Sequence, residues 1–439
     1  MATRASTTNV AFSDLLSAFA RIGLTSFGGP AGQIALMHRE VVEERGWISE
    51  EDYLHALNFC HLLPGPEAQQ LATWIGWRLH GWRGGLAAGL LFIVPGVAVI
   101  LALSMLYAVA AQLSWLQALF LGVKAAVLVI VVQALLRIAG RALDTRLKQG
   151  LALSAFAALF LLDLPFPLVV LGAGAIGLVA AALRPEWLAL KPSGNGISQG
   201  PRPWRSTIAS VMICGAVWAA PMALIAATLG RDHVLWDIGA FFSQLVLVTF
   251  GGAYAVLAYM AQEAVQGFGW LRPGEMADGL GLAESTPGPL ILVTQFVGYL
   301  AAFRAPDPFS PLVAGVLGAM LTTWVSFAPC FLWIFALAPW IDRLGGNLRL
   351  KGGLAALTAA VVGVIGNLTV WFALHVIFED VSTQQMGPLR LLMPDIQTLD
   401  MRAVALVLLA GVLAFNFKLP VIRLLALSAM AGLGLALMA

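Results

Sequence analysis

Pro64-Gly65-Pro66 lies in an apolar stretch, residues 62–77, and the same tripeptide returns as Pro287-Gly288-Pro289 within residues 285–299. Proline donates no backbone hydrogen bond, and hydrocarbon holds no water to replace it, so each tripeptide is expected to break a helix. Pro66 and Pro289 are each expected to start the next helix, whose first-turn N–H groups and dipole then face the break. Open amides at a helix N-terminus are the chemistry of an oxyanion site. Side chains that could complete it stand beside the breaks: Gln69, Gln70 and Thr73 at the first, Ser285, Thr286, Thr294 and Gln295 at the second. The pairs Gly28-Gly29 and Gly251-Gly252, flanked by Thr25, Ser26 and Thr249, mark a second break beside each. Close packing of kinked helices would account for either tripeptide alone. Their recurrence with polar followers argues for binding.

Ionisable groups near the breaks are functional candidates, because charge at membrane depth is expensive. Glu67 directly follows Pro66, and Glu284 precedes Pro287 by three residues. A carboxylate at a helix N-terminus repels an anion while charged, so its protonation could couple to binding; simple helix capping is the other reading. Glu40 is a third candidate, but its run, "HREVVEERGWISEED", reads as the solvated face of an amphipathic helix. Arg21 and Lys124 could balance a dianion or snorkel to an interface. His61 is read as packing near the break. Cys60, Cys214 and Cys330 read as small buried hydrophobes. Neither a metal site nor a cofactor is expected, since the histidines lack ligand spacing with nearby carboxylates.

These residues need a bilayer-spanning frame, and the composition supplies one. Hydrophobic residues make up 60% of 439 and charged residues 11%, and the mean hydropathy is +0.87; soluble chains carry roughly 25% charged residues. The N-terminal residues lack the apolar core of a signal peptide. An internal repeat organises the chain. At a constant offset of 223 residues, Phe27-Gly28-Gly29 meets Phe250-Gly251-Gly252, Glu40 meets Glu263, Gly46-Trp47 meets Gly269-Trp270, and the two Pro-Gly-Pro motifs coincide. Farther on, Leu164-Pro165 and Gly177-Leu178 match Leu419-Pro420 and Gly432-Leu433. A collinear set of this kind marks duplication. Residues 1–184 and 236–439 are therefore read as two repeats. They are joined by residues 185–235, a polar linker plus one extra apolar segment, residues 206–229.

Basic loops stay cytoplasmic. Arg78 and Arg83, Arg137 to Lys148, and the linker place the first repeat's loops inside. One further crossing then puts the Arg304–Asp307 loop and acidic residues 379–402 outside, and residues 342–351 inside. The expected fold is an all-α polytopic membrane protein. It has two inverted-topology repeats with broken or re-entrant helices at the Phe-Gly-Gly and Pro-Gly-Pro motifs. Such repeats hold substrate at the midplane of secondary transporters.

The stretches "SFGGPAGQIALMHREVVEERGWI", "LLPGPEAQQLATWIGWRLHGWRGGLAAGLLFIVPG", "TFGGAYAVLAYMAQEAV" and "LAESTPGPLILVTQFVGYLA" resemble the chromate ion transporter (CHR) family in its long, two-domain form. The resemblance covers nearly the whole chain. It implies a multi-pass carrier in the bacterial cytoplasmic (inner) membrane that exports chromate, confers chromate resistance and is driven by the proton-motive force. Sulfate, a dianion of the same shape, is the related substrate, and a sulfate or other tetrahedral-oxyanion permease is the alternative function. The second repeat departs from the first, with Ala253 for Pro30 and Leu290 for Glu67, so Glu284 need not copy Glu67. No GxxxxGK[ST] motif occurs, and no nucleophile–base pair suggests an enzyme. Chromate, sulfate, the lipid bilayer and a second copy of the chain in a homodimer are the expected partners; nucleic acid is not.

Overall fold

The computed structural model describes residues 10–27, 29–110, 113–190, 204–250, 253–272, 274–341, 347–387 and 389–438. Gly28, Gly251 and Gly252 lie outside the described residues, as do linker residues 191–203.

In the first repeat the helices are α1 (Phe12–Thr25), α2 (Gly29–His38), α3 (Glu50–Cys60), α4 (Glu67–Ala110), α5 (Ser114–Ala142), α6 (Arg146–Phe160) and α7 (Phe166–Leu183). The extra segment is α8 (Trp204–Thr228). The second repeat contains α9 (Val234–Leu247), α10 (Ala253–Gln262), α11 (Glu275–Glu284), α12 (Val293–Arg304), α13 (Pro311–Leu337), α14 (Leu348–Ile377), α15 (Met401–Phe415) and α16 (Val421–Met438). Among the described helices six are long and apolar enough to cross a membrane: α4, α5, α7, α8, α13 and α14. The chain is an all-α polytopic membrane protein. One small addition escaped the sequence reading: strands β1 (Val381–Met386) and β2 (Leu389–Pro394) pair antiparallel inside the polar stretch between α14 and α15.

Local signals account for the starts of the helices. Ser49 caps α3 by accepting from the Asp52 amide, and Glu50, Glu51 and Asp52 in the first turn suit the positive end of the dipole. Asn347 and Asp400 cap α14 and α15 in the same way. α4 is two arms, because His80 and Gly81 leave helical geometry (φ +61 at Gly81). The arms close tightly because neither Gly76 nor Gly84 has a side chain: a Cβ on either would strike the other's carbonyl oxygen.

Positions 223 residues apart share backbone geometry. Gly46 and Gly269 have φ of +60 and +66, and Gly65 and Gly288 have φ of +112 and +101. A π-helical segment follows α2 at Arg39–Glu44 and α10 at Glu263–Gly267. The amide of Ile48 donates to the Val41 carbonyl, and its counterpart Leu271 donates to Ala264. Where Arg45 lies over the Trp47 ring, the equivalent Phe268 stacks on Trp270.

The chain forms two compact units, and each draws segments from both repeats. The first comprises Met1–Ser104, Asn195–Gly252 and Thr286–Gly346. Its core includes α13 packed against α8, α9 and α12. Helix α8 is mostly exposed, with Ile225 its one buried residue among those described; it is held through Thr207 Oγ1 to the Ala336 carbonyl and Trp324 Nε1 to Val217. The second unit comprises Met105–Gly194, Ala253–Ser285 and Asn347–Ala439. Here the terminal hairpins are exchanged: α6 and α7 of the first repeat pack on α14, while α15 and α16 of the second pack on α5. Glycines permit both approaches, Gly177 against Gly352 and Gly432 against Gly122.

Candidate functional site

Both Pro-Gly-Pro breaks belong to the first unit, and each is tied to the other repeat. The Gly65 amide donates to the Thr249 carbonyl at 2.8 Å, and the Gly288 amide donates to the Ser26 carbonyl at 2.9 Å. These two bonds are one bond repeated, since Gly65 corresponds to Gly288 and Ser26 to Thr249. Each tripeptide therefore docks on the segment that precedes the other repeat's Phe-Gly-Gly sequence. Glycine is needed at the centre because φ beyond +100 is closed to ordinary side chains. Space forbids them too: a Cβ on Gly65 would sit 2.9 Å from Cys330 Sγ, and one on Gly288 would sit 3.1 Å from a Leu292 methyl. Gly96, in the second arm of α4, lets the Pro287 carbonyl approach its backbone.

The prolines fall one residue earlier than expected. The Pro66 carbonyl accepts from the Gln70 amide, so Glu67 is the first helical residue of α4. Pro289 precedes a 3-10 turn, Leu290–Leu292, that leads into α12. The physical consequence is unchanged: first-turn amides after each proline have no intrahelical acceptor.

Glutamine side chains brace the breaks. Gln70 Nε2 donates to the Pro64 carbonyl at 2.7 Å, Gln33 Nε2 to Gly288 at 2.5 Å, and Gln295 Nε2 to Val97 at 3.1 Å. A carbonyl partner fixes which amide atom faces it, so the Oε1 atoms point elsewhere. In Gln33, Gln69, Gln70 and Gln295 this oxygen is buried and has no hydrogen-bond partner among the described residues. Buried unpaired oxygens cost stability, and their clustering beside two helix breaks marks a polar site. Thr73, Thr249, Thr286 and Thr294 are buried around them. Gln33 was missed in the sequence because it lies in α2, 255 residues from its partner.

The other expected residues divide. Glu67 is half-buried in the first turn of α4. Glu284 is buried as the last residue of α11, at the negative end of that helix dipole. Ser285 belongs to the second unit and returns its hydroxyl to the Leu282 carbonyl. Gly29 begins α2 with φ +72. Lys124, also in the second unit, pairs with Asp278 at 3.4 Å. Glu40 corrects the sequence reading: it is 2% exposed, not solvated, because the π-helical turn carries it inward with Val41 while Glu43 and Glu44 stay exposed. Arg45 Nε at 3.5 Å and Arg21 at 3.7 Å compensate its charge. Its counterpart Glu263 has no arginine at the equivalent of Arg45; burial, and next the Asp163 carboxylate, push its carboxyl above the usual range.

Glu40 yields a stability prediction. Arg45 is the less exposed of its two partners, so Arg45→Ala leaves a buried charge half-compensated and lowers stability by about 1–3 kcal/mol. Arg21 is 66% exposed, and Arg21→Ala costs under about 1 kcal/mol. Thermal unfolding of the purified variants in detergent measures the difference.

Comparison with known proteins gives a consistent result. The family model described as "Chromate transporter" matches residues 13–178 and 236–433, and so matches each repeat. A "Chromate transport protein" of Pseudomonas aeruginosa is 35% identical over 387 residues, 86% of this chain and 85% of the relative. A "Probable chromate transport protein" of Synechococcus elongatus is 29% identical over 353 residues, 80% and 82% of the two chains. A third, from Cupriavidus metallidurans, is 28% identical over 360 residues, 82% of each. No solved structure matches the chain.

Proposed function

The chain belongs to the chromate transporter family, and from that premise we propose that it exports chromate across the bacterial cytoplasmic membrane as a proton-driven secondary carrier. The observation that carries this reading is the exchanged pair of bonds, Gly65 to Thr249 and Gly288 to Ser26. It ties each break to the other repeat, which supports a substrate site shared by the two. In the mechanism, chromate accepts hydrogen bonds from the open amides after Pro66 and Pro289, reinforced by the adjacent helix dipoles. The remaining N–H groups of Gln70 and Gln295 and the hydroxyl of Thr286 complete the shell. Glu67, in the same first turn, disfavours the anion while charged and admits it when protonated. Glu284 and Glu40 are the other carboxylates that can take part, and Arg21 the outer counter-charge.

Repeats of opposite orientation, as the loop charges imply, would let one site open alternately to the two sides. Residues 1–184 and 236–439 are the two repeats in this scheme. Sulfate shares the charge and shape of chromate and is the competing substrate.

The test is labelled chromate uptake into inside-out vesicles, with and without a protonophore and with sulfate as competitor. Uptake is expected to need the protein and to fall at least about tenfold when the proton gradient collapses. Uptake that instead follows a sulfate gradient would assign exchange. Movement of sulfate without chromate would replace export by an oxyanion permease.

A further inference from the structure

In the second unit Asp278, the partner of Lys124, is a buried carboxylate that the transport reading above does not use. Asp278 lies one turn into α11, a helix whose residues are buried almost throughout. Its Oδ2 accepts from the Tyr107 hydroxyl at 2.7 Å. Its Oδ1 lies 3.4 Å from Lys124 Nζ on α5 and has no closer polar partner among the described residues. Lys124 also approaches the start of the helix, since a Cβ on Gly274 would be 3.2 Å from Nζ. Gly281, one turn beyond Asp278, lets α5 close on α11 at Val123. The groups acting on Asp278 are Lys124, Tyr107 and Glu275, the last one turn earlier on α11. Helix α16, also packed on α11, carries a single charged residue, Arg423, in its first turn.

A purely structural pair would be expected to saturate both carboxylate oxygens, because an unmatched buried charge is costly. Here one oxygen is fixed by a phenol while the other faces only the Lys124 ammonium at 3.4 Å, a geometry that accepts a proton without rebuilding the site. The position is also specific to the second repeat, for the residue equivalent to Asp278 is His55. Finally, α11 ends at Glu284 and hands the chain directly to Ser285, Thr286 and the second Pro-Gly-Pro, so Asp278 stands on the helix that leads into that break.

We propose that Asp278 is a proton-carrying site of the transport cycle, with Lys124 holding its charged form and Tyr107 orienting it. This rests on the proton-driven reading above and adds to it a residue distinct from Glu67. Protonation forms an O–H bond at Oδ1 and leaves Lys124 without its counter-charge; release of the proton restores the pair. Proton uptake and loss are thereby tied to a change in how α11 is held.

The experiment compares two modes in vesicles made from the full chain: accumulation of labelled chromate driven by an imposed pH gradient, and exchange of labelled for unlabelled chromate at equal pH on both sides. Asp278→Asn is expected to reduce gradient-driven accumulation at least about tenfold and to retain measurable exchange. Should the single variant fail to fold, Asp278→Asn with Lys124→Gln removes both charges together and is expected to show the same uncoupled pattern. Tyr107→Phe is expected to displace the pH profile while retaining accumulation. Gradient-driven accumulation in either Asp278 variant comparable to the unaltered protein would overturn the proposal. So would equal loss of accumulation and exchange in a folded double variant, which would assign the pair to structure. If the unaltered protein itself shows no gradient-driven accumulation, the proton-driven reading fails first, and this proposal with it.

Discussion

Gly65→Val and Gly288→Val each lower chromate transport at least about 30-fold at unchanged membrane level, from backbone strain worth roughly 2–3 kcal/mol or more. At φ of +112 and +101 a branched side chain cannot be accommodated without turning the peptide. Turning it removes the amide from the Thr249 or Ser26 carbonyl. The new Cβ also meets Cys330 Sγ in one break and Leu292 in the other. Gly46 and Gly269 provide the matched control. They too have positive φ, but a Cβ there would meet nothing within 4 Å. Alanine at these positions is expected to cost about 1 kcal/mol of stability and to leave the transport rate within about twofold. Initial uptake rates normalised to the protein present in the vesicles separate the two pairs.

Glu67→Gln strengthens binding of the anion. A dianion about 5 Å from a carboxylate, at an effective dielectric near 20, is repelled by several kcal/mol before screening. The half-buried setting of Glu67 at the start of α4 weakens this repulsion but does not remove it. In the unaltered protein a charged Glu67 opposes the anion. In Glu67→Gln the side chain stays neutral, so affinity at alkaline pH is expected to exceed the unaltered value by about tenfold, equivalent to 1.4 kcal/mol. Sulfate, a dianion throughout this range, is the ligand to use, because its own charge then does not change. Unchanged affinity in Glu67→Gln would remove Glu67 from the mechanism.

Much of this arrangement is legible in the chain before any coordinates. Duplicated motifs at a fixed spacing reveal where helices break, and the equivalent glycines take the same backbone conformation in both repeats. What the spacing does not reveal is that the breaks are exchanged, Gly65 with Thr249 and Gly288 with Ser26, since a backbone hydrogen bond needs no particular side chain at its acceptor. Glu40 was misread for a different reason. Its neighbours are charged and a regular helix would leave it among them, but a π-helical turn changes the angle between successive residues and buries it. Asp278 escaped notice because its partners are distant in sequence, Tyr107 by 171 residues, and no periodic pattern links them. The β1–β2 hairpin lies in a stretch whose polar residues read simply as a loop.

The central claim is that two breaks from two repeats make one anion site. It is tested most directly by counting sulfate or chromate bound to the purified protein by calorimetry, for the unaltered chain and for Gly65→Val and Gly288→Val. One dianion per chain is predicted, with binding lost in either variant alone. Two dianions per chain, one removed by each variant, would show that the breaks act separately and would contradict the account.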